Sequence, residues 1–501
     1  MSVAPIRAES PFVGNDRVLF GMILGVATFW LFAQTTLNIA PDMQRELGLA
    51  SGTMNNAVAI AALFAGIFAV VMGGLADRFG RMRILRLGFA FGITGSVLVG
   101  AAPAGGFGTA MLLLGRAVQG MSAACIMPAS LALIKAYWDG AARQRALSLW
   151  SIGSWGGSGL ASLFGGFMAQ ELGWRWIFVV SALVAAIGLW MVQGTPENKA
   201  AAAGQHRYDL AGVVTFAVAL LALEVFVTQG GVLGWASPAS IALAVTAIVA
   251  GAAFFRVEAG KAQAFVDFRL FRNPIYSGAT LSNFLINATV GMQLVSLQLV
   301  QVGGGMSAQQ AGLLTLGYAI AIIAFIRVGE KLLQRFGPRR PMVWGTLITG
   351  AAIACLMPTH LMLDAYRSAA IVGYTLFGVG LAFYATPSTD AALSSLPMDQ
   401  SGSGSGIYKM ASSLGAALGV AISGAIFTAM GHSDRGVRWL DGVITFQGRA
   451  DNLALREAAI VALGFNLLLV VFAVVAILRT IPRQGARAAP TLRPASVGTR
   501  L

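Results

Sequence analysis

Charge is scarce in this sequence. Only 11% of its 501 residues are Asp, Glu, Lys or Arg, against roughly 25% in an ordinary soluble domain. Cysteine is nearly absent. Cys125 and Cys355 both lie in apolar runs, too few for a disulfide framework, and they read as small packing residues. No G-x-x-x-x-G-K-[ST] run is present, which excludes a pump carrying its own nucleotide site. There is no H-E-x-x-H, no Cys/His cluster and no G-x-S-x-G elbow, so neither a metal, a cofactor nor an enzymatic activity is expected. His206, His360 and His432 fall in loops or at helix ends and receive no assignment. The first apolar run is too long for a signal peptide and has no A-x-A site behind it, so it should stay as a helix.

Apolar residues are what the chain has in excess: 57% are hydrophobic and the mean hydropathy is +0.74. A helix needs about 20 mainly apolar residues to cross roughly 30 Å of hydrocarbon. Fourteen such runs are centred near residues 29, 65, 94, 118, 158, 185, 220, 247, 288, 318, 351, 376, 417 and 468. The 62 glycines suit close helix packing in lipid. The expectation is an all-α polytopic membrane protein with fourteen transmembrane helices. Its net charge of +14 reports topology rather than nucleic-acid binding. With the N-terminus cytoplasmic, 26 of the 34 Lys and Arg fall inside and seven outside, with Arg116 within a helix. This bias places both termini in the cytoplasm and the protein in the inner, cytoplasmic membrane, with some attraction to anionic lipid heads.

The runs group as six, two and six. A cytoplasmic N-tail (1–16) precedes a six-helix bundle at 17–195. A linker with two extra helices occupies 196–273, a second six-helix bundle 274–480, and a basic, Pro-containing tail 481–501. The tail has the composition of a disordered segment. The bundles carry a common element. GGLADRFGRMR (73–83) follows run 2 and EKLLQRFGPRR (330–340) follows run 10, both with Arg-Phe-Gly before further basic residues. Two related halves imply a site at their interface near the bilayer midplane, opened by rocking one half against the other.

The segment Gly74-Leu-Ala-Asp77-Arg78-Phe-Gly80-Arg81-Met-Arg83 resembles the helix 2–3 signature of the major facilitator superfamily. That resemblance implies a conformational latch made by Gly74, Asp77, Arg78, Gly80, Arg81 and Arg83. The alternative is a plain topology signal. Arg116-Ala-Val-Gln119-Gly120 resembles the helix 4 signature, which implies a proton-coupling role for Arg116 with Gln119. The alternative is an arginine that braces helix 1 by hydrogen bonds. Gly173-Trp174-Arg175-Trp176 looks like the fourteen-helix drug:proton antiporter branch. WLFAQ (30–34), QGMSAACIMPA (119–129), SIGSWGGSG (151–159), RVGEKLLQ (327–334) and YATPSTD (384–390) together resemble NorB-type quinolone and multidrug exporters. Two positions depart from the antiporter pattern. Ala33 stands where an Asp is common in helix 1, and Ala161-Ser162 where helix 5 carries Gly-Pro.

Few ionisable groups lie within the runs. Glu224 sits in run 7, where a buried carboxyl could carry a proton or serve as polar glue; the resemblance puts the extra helix pair outside the pathway. Asp390 and Lys409 sit near helix ends, as a solvated boundary residue or a snorkelling one. A substrate cavity is expected from Trp30, Gln34, Asn38, Trp150, Trp155, Asn283, Asn287, Tyr374 and Tyr384, because amides in lipid must find partners. Interhelical hydrogen bonding would satisfy them equally. Such a lining suits a flat, neutral or zwitterionic heteroaromatic molecule. The leading reading is a monomeric secondary transporter working by alternating access, exporting amphipathic drugs with protons as the candidate coupling ion. The alternative is uptake of a heteroaromatic nutrient such as riboflavin, motivated by Ala33 and Ala161-Ser162.

Overall fold

The computed structural model describes residues 12–33, 35–49, 51–199, 209–259, 261, 268–431, 445–447 and 452–483. The tails beyond these bounds, the linker residues 200–208 and the position of Gln34 lie outside the described residues. Among those described, every regular element is a helix. In chain order we number the helical rods α1 (Asp16–Ala33, continued by Thr36–Leu47), α2 (Ser51–Phe79), α3 (Arg81–Gly100), α4 (Gly106–Tyr137), α5 (140–171), α6 (Arg175–Val192), α7 (Leu210–Leu233) and α8 (Pro238–Ala259). They continue as α9 (Pro274–Gly303), α10 (308–336), α11 (Arg339–Leu356), α12 (Leu363–Ser395), α13 (Ser401–Gly431) and α14 (Leu453–Thr480). Each of the fourteen predicted centres falls inside one rod. Among the described residues, eleven helices are long and apolar enough to cross a membrane. Rods α5, α7 and α11 are outside that set.

The rods begin where the sequence supplies caps. The Asn15 side chain accepts the Val18 N–H at 3.0 Å, and Asp209 accepts the Gly212 N–H at 2.9 Å. Asn273 caps α9 ahead of Pro274, which needs no donor at the first helical position. Ser307 and Gln310 form a capping box at α10. The two Arg-Phe-Gly segments share two local features. Gly80 ends α2 with φ +122° and Gly337 ends α10 with φ +69°, a region that favours glycine. In both, the arginine lies over the ring of its phenylalanine neighbour, at 5.4 Å for Arg78 and 5.1 Å for Arg335.

Rod α4 packs on α2 and α3, and α12 packs on α10 and α11. Rods α2 and α13 cross between these groups, and α5 meets α10. The outward faces are apolar: Leu183, Ile187 and Trp190 on α6 and Ile248 and Val249 on α8 are exposed. Among the described residues, three rods contain π-helical turns, Thr28–Ala33 in α1, Ile152–Gly156 in α5 and Leu299–Gly303 in α9. Such turns free carbonyls from the regular ladder and recur at functional sites. Those of α1 and α5 flank the cavity described next.

Candidate functional site

Asp77, on the last turn of α2, accepts the backbone N–H groups of Gly402 (2.8 and 2.9 Å) and Ser403 (2.9 Å). These are orphan donors of the first turn of α13, where a carboxylate is also favoured by the helix dipole. Arg81 closes the same contact. Its Nε and Nη2 donate to Asp77 at 3.0 and 2.8 Å, and its remaining donors reach Asn198 Oδ1 at 2.5 Å and the Met398 carbonyl at 2.6 Å. Lys135 at the end of α4 donates to the carbonyls of Leu396 and Pro397. Arg143 on α5 pairs with Asp390 on α12 at 3.1 Å and donates to Ser394 at 2.8 Å. One end of the molecule is therefore closed by contacts between rods of the first and last thirds of the chain.

The backbones touch at this crossing. A Cβ on Gly73 would meet the Gly402 carbonyl oxygen at 2.3 Å, and one on Gly402 would meet the Gly73 oxygen at the same distance. Gly74 faces open space. Of the six residues expected in the latch, Asp77 and Arg81 reach across and Gly80 makes the turn. Arg78 lies over Phe79, and Arg83 approaches Glu197 at 3.8 Å from an exposed position. Glu197, Asn198, Lys135 and Arg143 were not expected. Glu197 accepts the N–H groups of Met82 and Arg83 at 2.9 and 3.0 Å, capping α3 from a segment that reads as linker.

Arg116 is fully buried. It donates to the carbonyls of Ala57 (2.7 Å), Ala33 (2.8 Å) and Val58 (3.1 Å) and to Gln119 Oε1 (2.8 Å). Gln119 in turn donates to Ser96 at 3.3 Å. The arginine thus braces α1 and α2 through backbone oxygens, one of them at the end of the α1 π turn. The side chain of Glu224 lies outside the described residues.

Away from this closed end, the rods line a partly open cavity of about 970 Å³. Phe29 and Trp30 of α1, Ser158 of α5, Gln293 of α9, Tyr318 of α10 and Ser413 of α13 are among its walls, and among the described residues no lining residue is charged. Tyr318 ties the α10 wall to α5, with its hydroxyl 3.2 Å from Ser158 Oγ and 3.4 Å from the Trp155 carbonyl. Leu220, Val227 and Trp235 also line the cavity. The extra helix pair, which the resemblance puts outside the pathway, thus contributes to this wall: α7 packs against α2 and α13.

Of the residues expected in the cavity, Trp30 is in its wall. Gln34 and the side chain of Asn38 lie outside the described residues. The others stand behind the wall. Trp150 is buried and donates to Ser130 at 2.9 Å, and Trp155 is half-buried. Asn283 donates to the Tyr408 carbonyl (2.9 Å) and Ser412 (2.6 Å), and Asn287 to the Asn283 carbonyl (2.7 Å). The Tyr384 hydroxyl meets Ser282 at 2.7 Å and Ser388 at 3.0 Å, and Tyr374 is fully buried. Here the interhelical alternative describes Asn283, which ties α9 to α13, while Asn287 bonds back onto its own helix and Tyr384 ties α12 to α9 through Ser282. Asp390 is buried and paired rather than solvated, and Lys409 is buried rather than snorkelling. Tyr318, Ser158 and Met410 were missed because one small hydroxyl, thioether or phenol per turn leaves no mark on an apolar run.

A closed end, a cavity between rods and a set of membrane-length helices are now in view, and the profile of the Major Facilitator Superfamily matches residues 20–262 and 279–499. The chain belongs to the major facilitator superfamily. It is 44% identical over 450 residues to the quinolone resistance protein NorB of Staphylococcus aureus strain MRSA252, covering 88% of this chain and 96% of that one. It is 45% identical over 422 residues to the NorB protein of strain MW2, covering 84% and 90%. In fold it resembles the proton:xylose symporter XylE bound to 6-bromo-6-deoxy-D-glucose, with a TM-score of 0.63 and 15% identity over 93% of this chain and 96% of that one. This superfamily member is a multi-pass membrane protein with the all-helical major facilitator fold and the organisation of a secondary transporter.

Proposed function

We propose that the protein exports quinolone-type and other amphipathic aromatic drugs across the cytoplasmic membrane by alternating access. The observation that carries the reading is the mainly apolar cavity of about 970 Å³, with Phe29, Trp30, Trp235 and Tyr318 in its wall and no charged residue in that wall among the described residues, large enough to bury a drug-sized molecule. The quinolone-resistance names of both Staphylococcus aureus relatives favour export over the uptake alternative. In this reading the chain is a monomer that crosses the membrane fourteen times, with halves at 17–195 and 274–480 joined by 196–273. Both termini and the latch face the cytoplasm, as the excess of Lys and Arg at that end favours. The cavity then opens outward. Asp77, Gly80 and Arg81 hold the cytoplasmic gate, and Arg116 with Gln119 links α4 to α1 during proton-driven exchange, with Glu224 a second candidate for the proton.

Overexpression tests the proposal. Cells carrying the protein should tolerate higher concentrations of norfloxacin and accumulate less of it, and a protonophore should erase the difference. Unchanged tolerance together with unchanged accumulation overturns the reading. Rescue of a riboflavin auxotroph on low vitamin would instead support uptake.

A further inference from the structure

Lys409 lies within α13, is 5% exposed, and its Nζ has neither an ion pair nor a hydrogen bond among the described residues. Its neighbours are two indoles. The Nζ stands 5.0 Å from the Trp150 ring centre and 5.9 Å from that of Trp30. Trp150 is fixed by its bond to Ser130, so the ammonium is held in place by rings rather than by an anion. Cation–π attraction recovers only part of what an ammonium loses on leaving water. A carboxylate is the partner this site lacks among the described residues.

Helical spacing puts Lys409 on the cavity side. Ser413, Ala416 and Val420, at i+4, i+7 and i+11, all line the cavity. Lys409 is the next step of that stripe toward the latched end. Trp30 faces it from α1. Trp30 lines the cavity, and its Nε1 is buried without a hydrogen-bond partner. Phe29, also in the wall, meets the Trp30 ring edge to face at 5.3 Å. Two unsatisfied donors and two aromatic rings therefore converge at the base of a cavity whose wall carries no charge among the described residues.

We propose that Lys409 and Trp30 form a carboxylate subsite, which selects aromatic carboxylates and zwitterions among the molecules the cavity admits. The carboxylate accepts from Nζ and Nε1 while the aromatic system stacks against Phe29 and Trp30. A cation with no carboxylate meets an uncompensated ammonium there and is disfavoured. The proposal rests on the export reading and narrows its substrate class.

Binding to the purified protein in nanodiscs tests it, with norfloxacin and norfloxacin methyl ester as probes and titration calorimetry as readout. The native protein should bind the acid about tenfold more tightly than the ester, the scale of a charge-assisted hydrogen bond. Lys409→Gln should bring the ratio near one, Lys409→Arg should keep most of it, and Trp30→Phe should lower it while retaining the ring. If Lys409 only braces the rods, Lys409→Gln lowers the melting temperature and leaves the ratio intact, which overturns the proposal. Should Lys409→Gln not fold, the Lys409→Arg and Trp30→Phe ratios decide. Equal binding of acid and ester by the native protein overturns the subsite even where vesicles still export norfloxacin. A preserved ratio without export overturns the export reading alone.

Discussion

At the scale of the residue, Arg116 shows how a charge is kept in an apolar rod. Its donors go to three backbone carbonyls and one amide, with no carboxylate among the bonded groups. Truncation would leave those buried acceptors bare, at about 1–3 kcal/mol for each one not reached by water. Arg116→Ala should therefore insert but lose drug export in inverted vesicles, with a clearly lower melting temperature. Arg116→Lys should rescue little, because a point ammonium cannot reproduce the fork. Full export by Arg116→Ala would remove the arginine from the cycle. The neighbouring glycines of the latch give a sharper contrast. Gly73→Ala drives a methyl into the Gly402 carbonyl and should cost about 1–3 kcal/mol through displaced backbones. Gly74→Ala meets nothing and should be neutral or stabilising by about 0.5–1 kcal/mol, as for a helix-interior glycine. Thermal unfolding of the two variants side by side measures the difference. The motif resemblance points to Gly74, whereas the close approach is made by Gly73, because a signature marks sequence positions and the crossing angle of α2 and α13 decides which of them touches.

At the scale of the element, the end of α2 is held to the start of α13 by Asp77, and α5 to α12 by Arg143 and Asp390. The Asp77 contact places a carboxylate on free helix N–H groups, so its loss acts on the equilibrium between gate-closed and gate-open states rather than on the cavity. Asp77→Asn should raise the gate-open population about tenfold, for a charge-assisted bond weakened by about 1.5 kcal/mol. Spin labels at 141 and 394 would report it as a second, longer distance, with norfloxacin affinity in the gate-closed state little changed. A single unchanged distance distribution would remove Asp77 from the gate. The Arg143–Asp390 pair is mostly buried, with side chains 17% and 9% exposed, so it should couple more strongly than a surface pair. A double-mutant cycle with Arg143→Gln and Asp390→Asn should return about 1 kcal/mol or more in the same distance measurement. Much of this element was legible: Asp77, Gly80 and Arg81 stand in a motif whose spacing survives any detail of packing. Glu197, Asn198, Lys135 and Arg143 were not, because each acts through a partner dozens to hundreds of residues away and carries no local pattern.

At the scale of the whole molecule, the fourteen apolar runs were readable because each must satisfy its own backbone in hydrocarbon, a constraint that acts within one rod. The cavity was less readable, because its wall is a property of several rods at once. Amides such as Asn283 and Asn287 stand out in an apolar run, yet Asn283 binds α13 and Asn287 its own helix, while the wall is built from small and apolar side chains that no single run distinguishes. Rod α7 is the clearest case: an inserted helix has no counterpart in a two-bundle scheme, and its place across the α2–α13 seam follows from packing alone. The proposed orientation predicts which surface each side of the membrane can reach. The latched end buries Asp77 and Arg81, while Ala425 and Thr428 of α13 line the cavity at the far end of that rod. With the native cysteines replaced by alanine, Ala425→Cys and Thr428→Cys should react with an impermeant maleimide added outside intact cells, and norfloxacin should protect Ala425→Cys. Ala141→Cys, exposed at the latched end, should react only in inverted vesicles. The reverse pattern would invert the topology and, with it, the direction in which the cavity opens.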